Sequence, residues 1–305
     1  MKSVKNLTRV LTAITLMAIF TFISCKKEQS AGGTAEQQQE FATVTSESNA
    51  EAEGVFDDVF DNVLGVNTEV GVGGTGVFGI ANPGNRNDEP LSGVAGMDST
   101  ACFVVTITQL TANRFPLQIT IDFGAGCTGR DGRTRKGKIT TVYTGPLHIP
   151  GNSSTTTFDG YYVNDIHVEG TFKITNQSTQ DKKAFNIQVL DAKLTRSNGD
   201  YIQWNSEKTI AQVEGLGTPF YPLDDVFNIT GNNNGAVQKG DRFFQWSTTI
   251  SEALVKRFTC RWFVKGVVIL KKSNAKVAEL NYGSGDCDNK ATLTVDGQTV
   301  EITLH

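Results

Sequence analysis

The chain has 305 residues and a formal net charge of −4, from 28 lysines and arginines against 32 aspartates and glutamates. Residues 1–24 contain three cations and no acid, so the remainder carries −4 − 3 = −7. Nothing in this charge suggests a nucleic-acid partner, which would call for a basic face. The 205 residues that remain after position 100 (305 − 100) are enough to bury the core of one domain.

The N-terminal residues predict an export signal. Basic residues precede an apolar run over residues 11–23, which is too short to cross a bilayer as a helix and is typical of a secretory signal. The run ends in FISC, which resembles a bacterial lipobox with Ser24 before Cys25, although Phe22 replaces the usual leucine. The resemblance implies that residues 1–24 are removed and Cys25 is acylated. The alternative is a plain signal peptide that contains a cysteine by chance.

Acylation of Cys25 would anchor the protein to a membrane without a transmembrane helix. Lys26 follows this cysteine in place of the aspartate that retains lipoproteins at the inner membrane. We therefore expect a lipid-anchored outer-membrane protein, facing the periplasm or exposed on the cell surface. Residues 25–47 are mainly polar with few bulky side chains and predict an acylated cysteine on a flexible tether.

A short amphipathic helix is predicted over residues 48–66. Its apolar residues in EAEGVFDDVFDNVLG recur at steps of one and four, which places them on one stripe of a helix. Ser46 or Ser48 could cap it. The helix either docks on the main domain or binds a partner. Residues 67–100 predict a Gly-rich linker, and their match to a dinucleotide fingerprint lacks the predicted strand before it and helix after it that such a site requires.

Residues 101–305 predict an all-β domain. Runs rich in Thr, Val and Ile alternate apolar and polar residues, which is typical of strands. Asn198-Gly199, Asn234-Gly235 and Asp296-Gly297 are dipeptides suited to tight hairpin turns. We therefore expect an antiparallel meander of hairpins that forms a sandwich or a curled, open-barrel sheet, with the helix at its N-terminal side.

Four cysteines in this domain suggest two hairpins, each closed by a disulfide bond. Cys102 and Cys127 are symmetric about the turn-like TANRFP, and Cys260 and Cys287 about KKSNAK. Folding each segment as a hairpin sets its two cysteines opposite each other, within the range that a disulfide accepts. Export favours oxidation, so we predict these two pairs, with free buried thiols as the alternative. The second cysteine of each pair ends a similar segment, IDFGAGC or LNYGSGDC, and this repetition suggests internal duplication or convergence.

The mature chain also resembles an uncharacterised family of Bacteroidetes lipoproteins. The resemblance rests on DDVFDNVLGVN, IDFGAGCTGRDGRTRKGKI, TTTFDGYYVNDIHVEGT and GDCDNKATLTVDGQTVEITLH, and covers most of the chain. It implies localisation, but no activity, cofactor or catalytic residue.

Two polar clusters are candidates for a site. Five cations around an Asp-Gly turn could bind lipid phosphate or an acidic glycan, although a solvated hairpin tip is the simpler interpretation: Arg130, Arg133, Arg135, Lys136 and Lys138. Asp165, His167 and Glu169 alternate along one strand, and could serve a metal or acid–base chemistry. The simpler interpretation is a solvated sheet face, opposite a face that carries Tyr162, Ile166 and Val168. Trp204 and Trp246 share strand faces with apolar residues and predict core positions.

The sequence contains no catalytic motif, and the cysteines are assigned to disulfides. We therefore expect no enzyme activity and no cofactor or metal, and a cell-envelope lipoprotein that acts as a binding or structural module. An envelope protein or glycan is the expected partner. Two alternatives are a lipid carrier with a curved sheet and a glycan-acting hydrolase.

Overall fold

A computed structural model describes residues 34–64, 103–129, 132–147, 149–218, 222–257, 259–273 and 275–304. The predicted signal peptide, Cys25 and the Gly-rich linker therefore lie outside the described residues. Within these ranges, no helix is both long enough and apolar enough to cross a membrane. The chain divides into two compact units, Met1–Gln38 and Gln39–His305.

One long helix and fourteen strands occur in the described ranges, together with a short 3-10 helix at Pro222–Asp224. In chain order they are α1 (Ala35–Leu64), β1 (Val104–Gln109), β2 (Leu117–Asp122), β3 (Cys127–Thr128), β4 (Thr134–Tyr143), β5 (Ser153–Val163), β6 (Ile166–Asn176), β7 (Ala184–Thr195), β8 (Tyr201–Glu214), β9 (Val226–Lys239), β10 (Arg242–Arg257), β11 (Lys265–Lys272), β12 (Ala275–Ser284), β13 (Lys290–Val295) and β14 (Gln298–Thr303).

All fourteen strands belong to one open antiparallel sheet. From β4 to β14 each strand pairs with the next along the chain, β2 joins β1 to β4, and the two-residue β3 pairs with β4. Strands β1 and β14 form the two edges. The prediction of an all-β antiparallel meander is confirmed, and the single sheet excludes the sandwich among the predicted forms.

Bulges bend the middle of this sheet. The pairing register shifts between β4 and β5, on both sides of β7 and between β10 and β11, and the extra residues lie in β5, β7 and β10. At Gly137, where φ is +77°, an added Cβ would lie 2.0 Å from the carbonyl oxygen of Gly160. At Gly170, where φ is +118°, it would lie 2.7 Å from the Cα of Ala192. Only glycine fits such positions, and bulges of this kind curve a sheet.

The curved sheet packs around α1 on several sides. Phe56 contacts the rings of Phe158 on β5, Phe172 on β6 and Trp204 on β8 at centroid distances of 6.1, 6.2 and 5.6 Å. Between residues 41 and 60, only Glu47 is exposed. The helix is therefore a central part of the core, in agreement with the docked interpretation, and its buried surface is wider than one stripe.

The helix begins thirteen residues earlier than predicted, at Ala35 rather than 48. Thr34 and Gln37 form a capping box, in which the Thr34 hydroxyl accepts from the Gln37 N–H (3.3 Å) and the Gln37 side chain accepts from the Thr34 N–H (2.9 Å). The predicted cap Ser48 instead donates to the carbonyl of Val44 inside the helix. Residues 35–47 are thus helical, so the predicted tether of 25–47 was wrong over that part.

Two of the three predicted hairpin turns are confirmed. Asn198-Gly199 links β7 to β8, and Asp296-Gly297 links β13 to β14 with φ angles of 48° and 79°. Asn234-Gly235 instead lies inside β9, a strand that the sequence reasoning missed. Glycine is required there because an added Cβ would lie 2.4 Å from Cζ2 of Trp246. The Thr-rich β5 and the short β3 were missed as well.

The Cys260–Cys287 disulfide is confirmed, with its Cα atoms 5.7 Å apart. Both residues lie just outside the paired strands β11 and β12, rather than opposite each other within them. Cys127, on β3, is also disulfide-bonded, but its predicted partner Cys102 lies outside the described residues. The β1–β2 register, with Val104 opposite Asp122, centres that hairpin on Asn113, slightly before the predicted midpoint.

Candidate binding groove on the outer face of the sheet

The predicted basic tip is divided between the two faces of β4. Arg135 points inward, where its side chain is fully buried and binds both carboxylate oxygens of Asp58 on α1 at 3.1 and 2.7 Å. Arg133 pairs with the same aspartate at 3.1 Å. Both arginines are counter-ions of Asp58, with Arg135 fully buried and Arg133 partly buried, so the structure does not present these two as the exposed cations that the prediction assumed.

The remaining predicted cations lie elsewhere. Lys136 and Lys138 point outward, because they alternate along β4 with the buried Arg135 and Ile139. Lys136 lies over the ring of Tyr162 at 4.0 Å from its centroid, and Lys138 pairs with Asp122 at 3.1 Å. Arg130 lies outside the described residues. The sheet therefore separates these cations instead of gathering them around one ligand.

The predicted row of Asp165, His167 and Glu169 is only partly formed. Asp165 lies in the β5–β6 turn with φ of +64°, and so leaves the strand face. His167 Nδ1 lies 3.7 Å from Glu169 Oε2. Tyr162 stacks on His167 with a centroid distance of 4.6 Å, so it shares the outer face instead of the opposite face predicted for it.

The inner face of the sheet carries charged partners for α1. Glu53 accepts hydrogen bonds from Lys208 on β8 and from Asn233 Nδ2 on β9 (3.1 Å). Burial raises the pKa of Glu53, and the Lys208 ammonium partly opposes that shift. Trp204 and Trp246, both buried as predicted, donate their indole N–H groups to the Asn49 side-chain oxygen. The concave face is thus occupied by protein.

A small cavity remains between α1 and the sheet. Its volume is about 30 Å³, and its lining includes Glu53, Trp262 and Tyr282. The Trp262 Nε1 and Tyr282 hydroxyl are buried without a hydrogen-bond partner among the described residues. The volume has room for about two water molecules, which would satisfy such groups.

A larger groove, with a volume of about 440 Å³, lies on the outer face of strands β6 to β10. One row of paired residues runs across these strands and lines it: Glu169, Lys193, Gln203, Ala236 and Gln245. The second row is Asp191, Asn205 and Asn234. The volume falls within the range of about 300–1,000 Å³ that is typical of small-molecule sites.

The local sequence explains why the groove forms. Ala236 is short and lies between Gln203 and Gln245, so it forms a buried floor between two longer side chains. The bulge in β7 pushes Asp191 outward, and the Asp191 N–H donates to the Asn205 side-chain oxygen at 2.8 Å. Alternating side chains on neighbouring strands and one bulge thus build the groove.

The amides of the groove are available to a ligand. Within the described part of the chain, the side chains of Gln203, Asn234 and Gln245 make no hydrogen bond. Each amide offers two N–H donors and a carbonyl acceptor. Two carboxylates, Glu169 and Asp191, and one ammonium, Lys193, leave the groove with a small negative charge. This chemistry suits a polar, largely uncharged ligand.

Sequence reasoning missed the groove because β9 was not recognised as a strand. With β9 assigned, the alternating polar residues of QWN (203–205), NGA (234–236) and Gln245 would have pointed to one amide-rich face. No group of three or more His, Cys, Asp or Glu that could hold a metal ion occurs within the described residues.

Comparisons of the chain with protein-family models, curated proteins and solved structures found no match.

Proposed function

We propose that this protein is a non-enzymatic binding module of the cell envelope, attached to the outer membrane through lipid on Cys25. The observation that carries the binding role is the outer groove, where amide side chains face solvent without partners in the described part of the chain. Polar groups left open in a depression are suited to recognition of a polar ligand. The export signal and lipobox-like FISC support the envelope location.

The geometry gives less support to the two alternatives. A lipid carrier needs an open apolar concavity, whereas α1 packs against the concave face through Phe41, Phe56 and Phe60. A glycan hydrolase needs one sheltered carboxyl as a general acid. Both Glu169 and Asp191 are exposed to water in the groove. Binding without catalysis is therefore the better supported function.

The proposal is tested by sedimenting the full-length protein, purified in detergent, with washed envelope fragments from the cells that produce it. A variant with Gln203→Ala and Gln245→Ala should bind about tenfold more weakly, because it loses hydrogen bonds together worth about 1.4 kcal/mol. The matched control replaces two strand glutamines away from the groove, Gln118→Ala and Gln298→Ala, and should bind like the original protein. Equal binding by the groove variant and the original protein would refute a role for the groove.

A further inference from the structure

A row of rings runs parallel to the polar row on the same outer face. The pairing register connects His167 on β6, Thr195 on β7, Tyr201 on β8, Gln238 on β9 and Phe243 on β10. The ring-bearing residues therefore occupy every second strand. Phe243 is 49% exposed, and the other two rings are partly exposed.

On this face the row of rings and the row of amides are offset by two residues along each strand. Tyr201 precedes Gln203 by two residues, and Phe243 precedes Gln245 by two, so each ring lies about 7 Å along the strand from a groove amide. Alternate strands are about 9–10 Å apart, which sets the repeat of the rings across the sheet. A ligand lying across the strands would meet rings on one side and amides on the other.

This arrangement matches the surface of a sugar chain. A pyranose ring has an apolar C–H face, which packs on an aromatic ring, and a rim of hydroxyls, which exchange hydrogen bonds with amides and carboxylates. The repeat of the rings is close to the length of one disaccharide in an extended β-1,4-linked chain. The Lys193 ammonium lies over the Tyr201 ring, 5.1 Å from its centroid, and adds a hydrogen-bond donor beside that ring.

Other ligand classes fit less well. The groove lies in the middle of the sheet, where the strands already use their backbone hydrogen bonds, so a peptide could not add as a strand. Glu169 and Asp191 oppose a polyanion such as nucleic acid. An acyl chain would find mostly amides and charges. The ligand must therefore be bound by side chains alone, without backbone hydrogen bonds, and must carry little charge.

We propose that the groove and its parallel ring row bind an extended, neutral β-linked oligosaccharide that lies across strands β6 to β10. This inference rests on the proposed binding function and assigns its ligand class. Phe243 and Tyr201 pack on sugar rings, while Gln203 and Gln245 bind hydroxyls.

The test is calorimetric titration of the full-length protein, in a detergent without a sugar headgroup, with cellohexaose, chitohexaose, β-1,4-mannohexaose and maltohexaose. We expect binding of at least one β-1,4-linked probe and weaker binding of maltohexaose, whose α-linkages curve the chain. Phe243→Ala should lower the affinity about tenfold, and Phe243→Tyr should retain it. Val300→Ala, which removes a comparably exposed apolar side chain from β14, is the matched control and should have no effect.

The outcomes separate this inference from the proposed function. If no probe binds while envelope binding still depends on Gln203 and Gln245, the sugar assignment is overturned and the binding module stands. If neither probe nor envelope fragments bind, both proposals fail. Probe binding that Phe243→Ala and the double glutamine variant leave unchanged would overturn the assignment of this site.

Discussion

Individual charged residues of α1 hold it to distant strands of the sheet. Asp58 pairs with Arg135 on β4, Glu53 with Lys208 on β8, and Glu51 Oε1 lies 2.6 Å from an Nη atom of Arg196 after β7. The first two pairs are buried. Breaking a buried pair costs more than its presence contributes, because a charge remains without its partner. Such pairs therefore fix the position and orientation of α1 relative to the sheet.

The Glu53–Lys208 pair gives a stability prediction. Lys208→Met should lower the free energy of unfolding by about 3–5 kcal/mol at neutral pH, since it leaves the Glu53 carboxylate buried without its cation. Burial already raises the pKa of Glu53 above 4.5, so the loss should shrink as the pH falls and the carboxyl becomes neutral. Urea unfolding at several pH values measures both effects.

The double variant Glu53→Gln with Lys208→Met is the control for this pair. It removes both charges, and we expect it to lose less stability than Lys208→Met alone. Losses that simply add in the double variant would show that the two side chains do not interact.

Asp225 gives a prediction about pH. Burial, and then the neighbouring Asp224 carboxylate, raises the pKa of Asp225 from 3.8 to about 6. The folded state thus binds this proton more tightly than the unfolded state, and proton binding adds to the free energy of unfolding. This contribution is fully present below pH 3.8 and is lost as the pH rises through 6. Asp225→Asn should raise Tm by about 1–2 °C at pH 8, a small gain because the side chain is half exposed.

The difference between this variant and the original protein should shrink towards zero as the pH falls below 3.8, where Asp225 becomes neutral in both states. Asp224→Asn is the companion variant, and it should lower the pKa of Asp225 because it removes a neighbouring charge. The pKa can be followed by NMR titration of the Asp225 carboxyl. An unchanged pKa in Asp224→Asn would contradict the assigned cause.

At the scale of elements, local signals were read correctly where a few neighbouring residues decide the structure. Asp296-Gly297 forms its turn because both residues take positive φ, and Cys260 meets Cys287 because both flank one hairpin. The predictions were wrong where contacts between residues distant in the sequence decide the structure. Asn234-Gly235 has the composition of a turn, yet pairing with β8 and β10 and the ring of Trp246 keep it in a strand.

The disulfides give a prediction at this scale. Cys260–Cys287 closes a loop across 27 residues, for which loss of chain entropy corresponds to about 3.5 kcal/mol. Replacing both cysteines with serine should therefore lower Tm clearly, without touching the outer groove, and binding of envelope fragments should persist below the new Tm. Loss of groove binding with Tm unchanged would contradict a purely structural role.

The pairing of Cys127 remains a prediction, with Cys102 as its expected partner. Peptide mapping without reductant should yield one fragment that joins the segments around these two cysteines. A fragment that joins Cys127 to Cys25 would overturn the pairing and also remove Cys25 from the acylation site.

At the scale of the whole molecule, the proposed lipid on Cys25 is what would attach the domain to the envelope. Cys25→Ser should abolish acylation and shift the protein from the membrane fraction to the aqueous fraction, since acyl chains provide the expected attachment. Intact mass and membrane fractionation measure this. Groove-dependent binding of the purified protein should be retained. Unchanged mass and unchanged membrane partition would show that FISC is not a lipidation signal.

Most strands, two of the three predicted turns and one confirmed disulfide could be predicted from the sequence alone, because period-two alternation, turn dipeptides and cysteine spacing act over short stretches of chain. Tertiary structure decided the rest. Arg135 looked like a surface cation, but lies buried against Asp58, 77 residues away. The groove consists of residues from five strands, and its members become neighbours only through the register and bulges of the sheet. Those long-range pairings depend on how the whole sheet curves around α1, which no local pattern specifies.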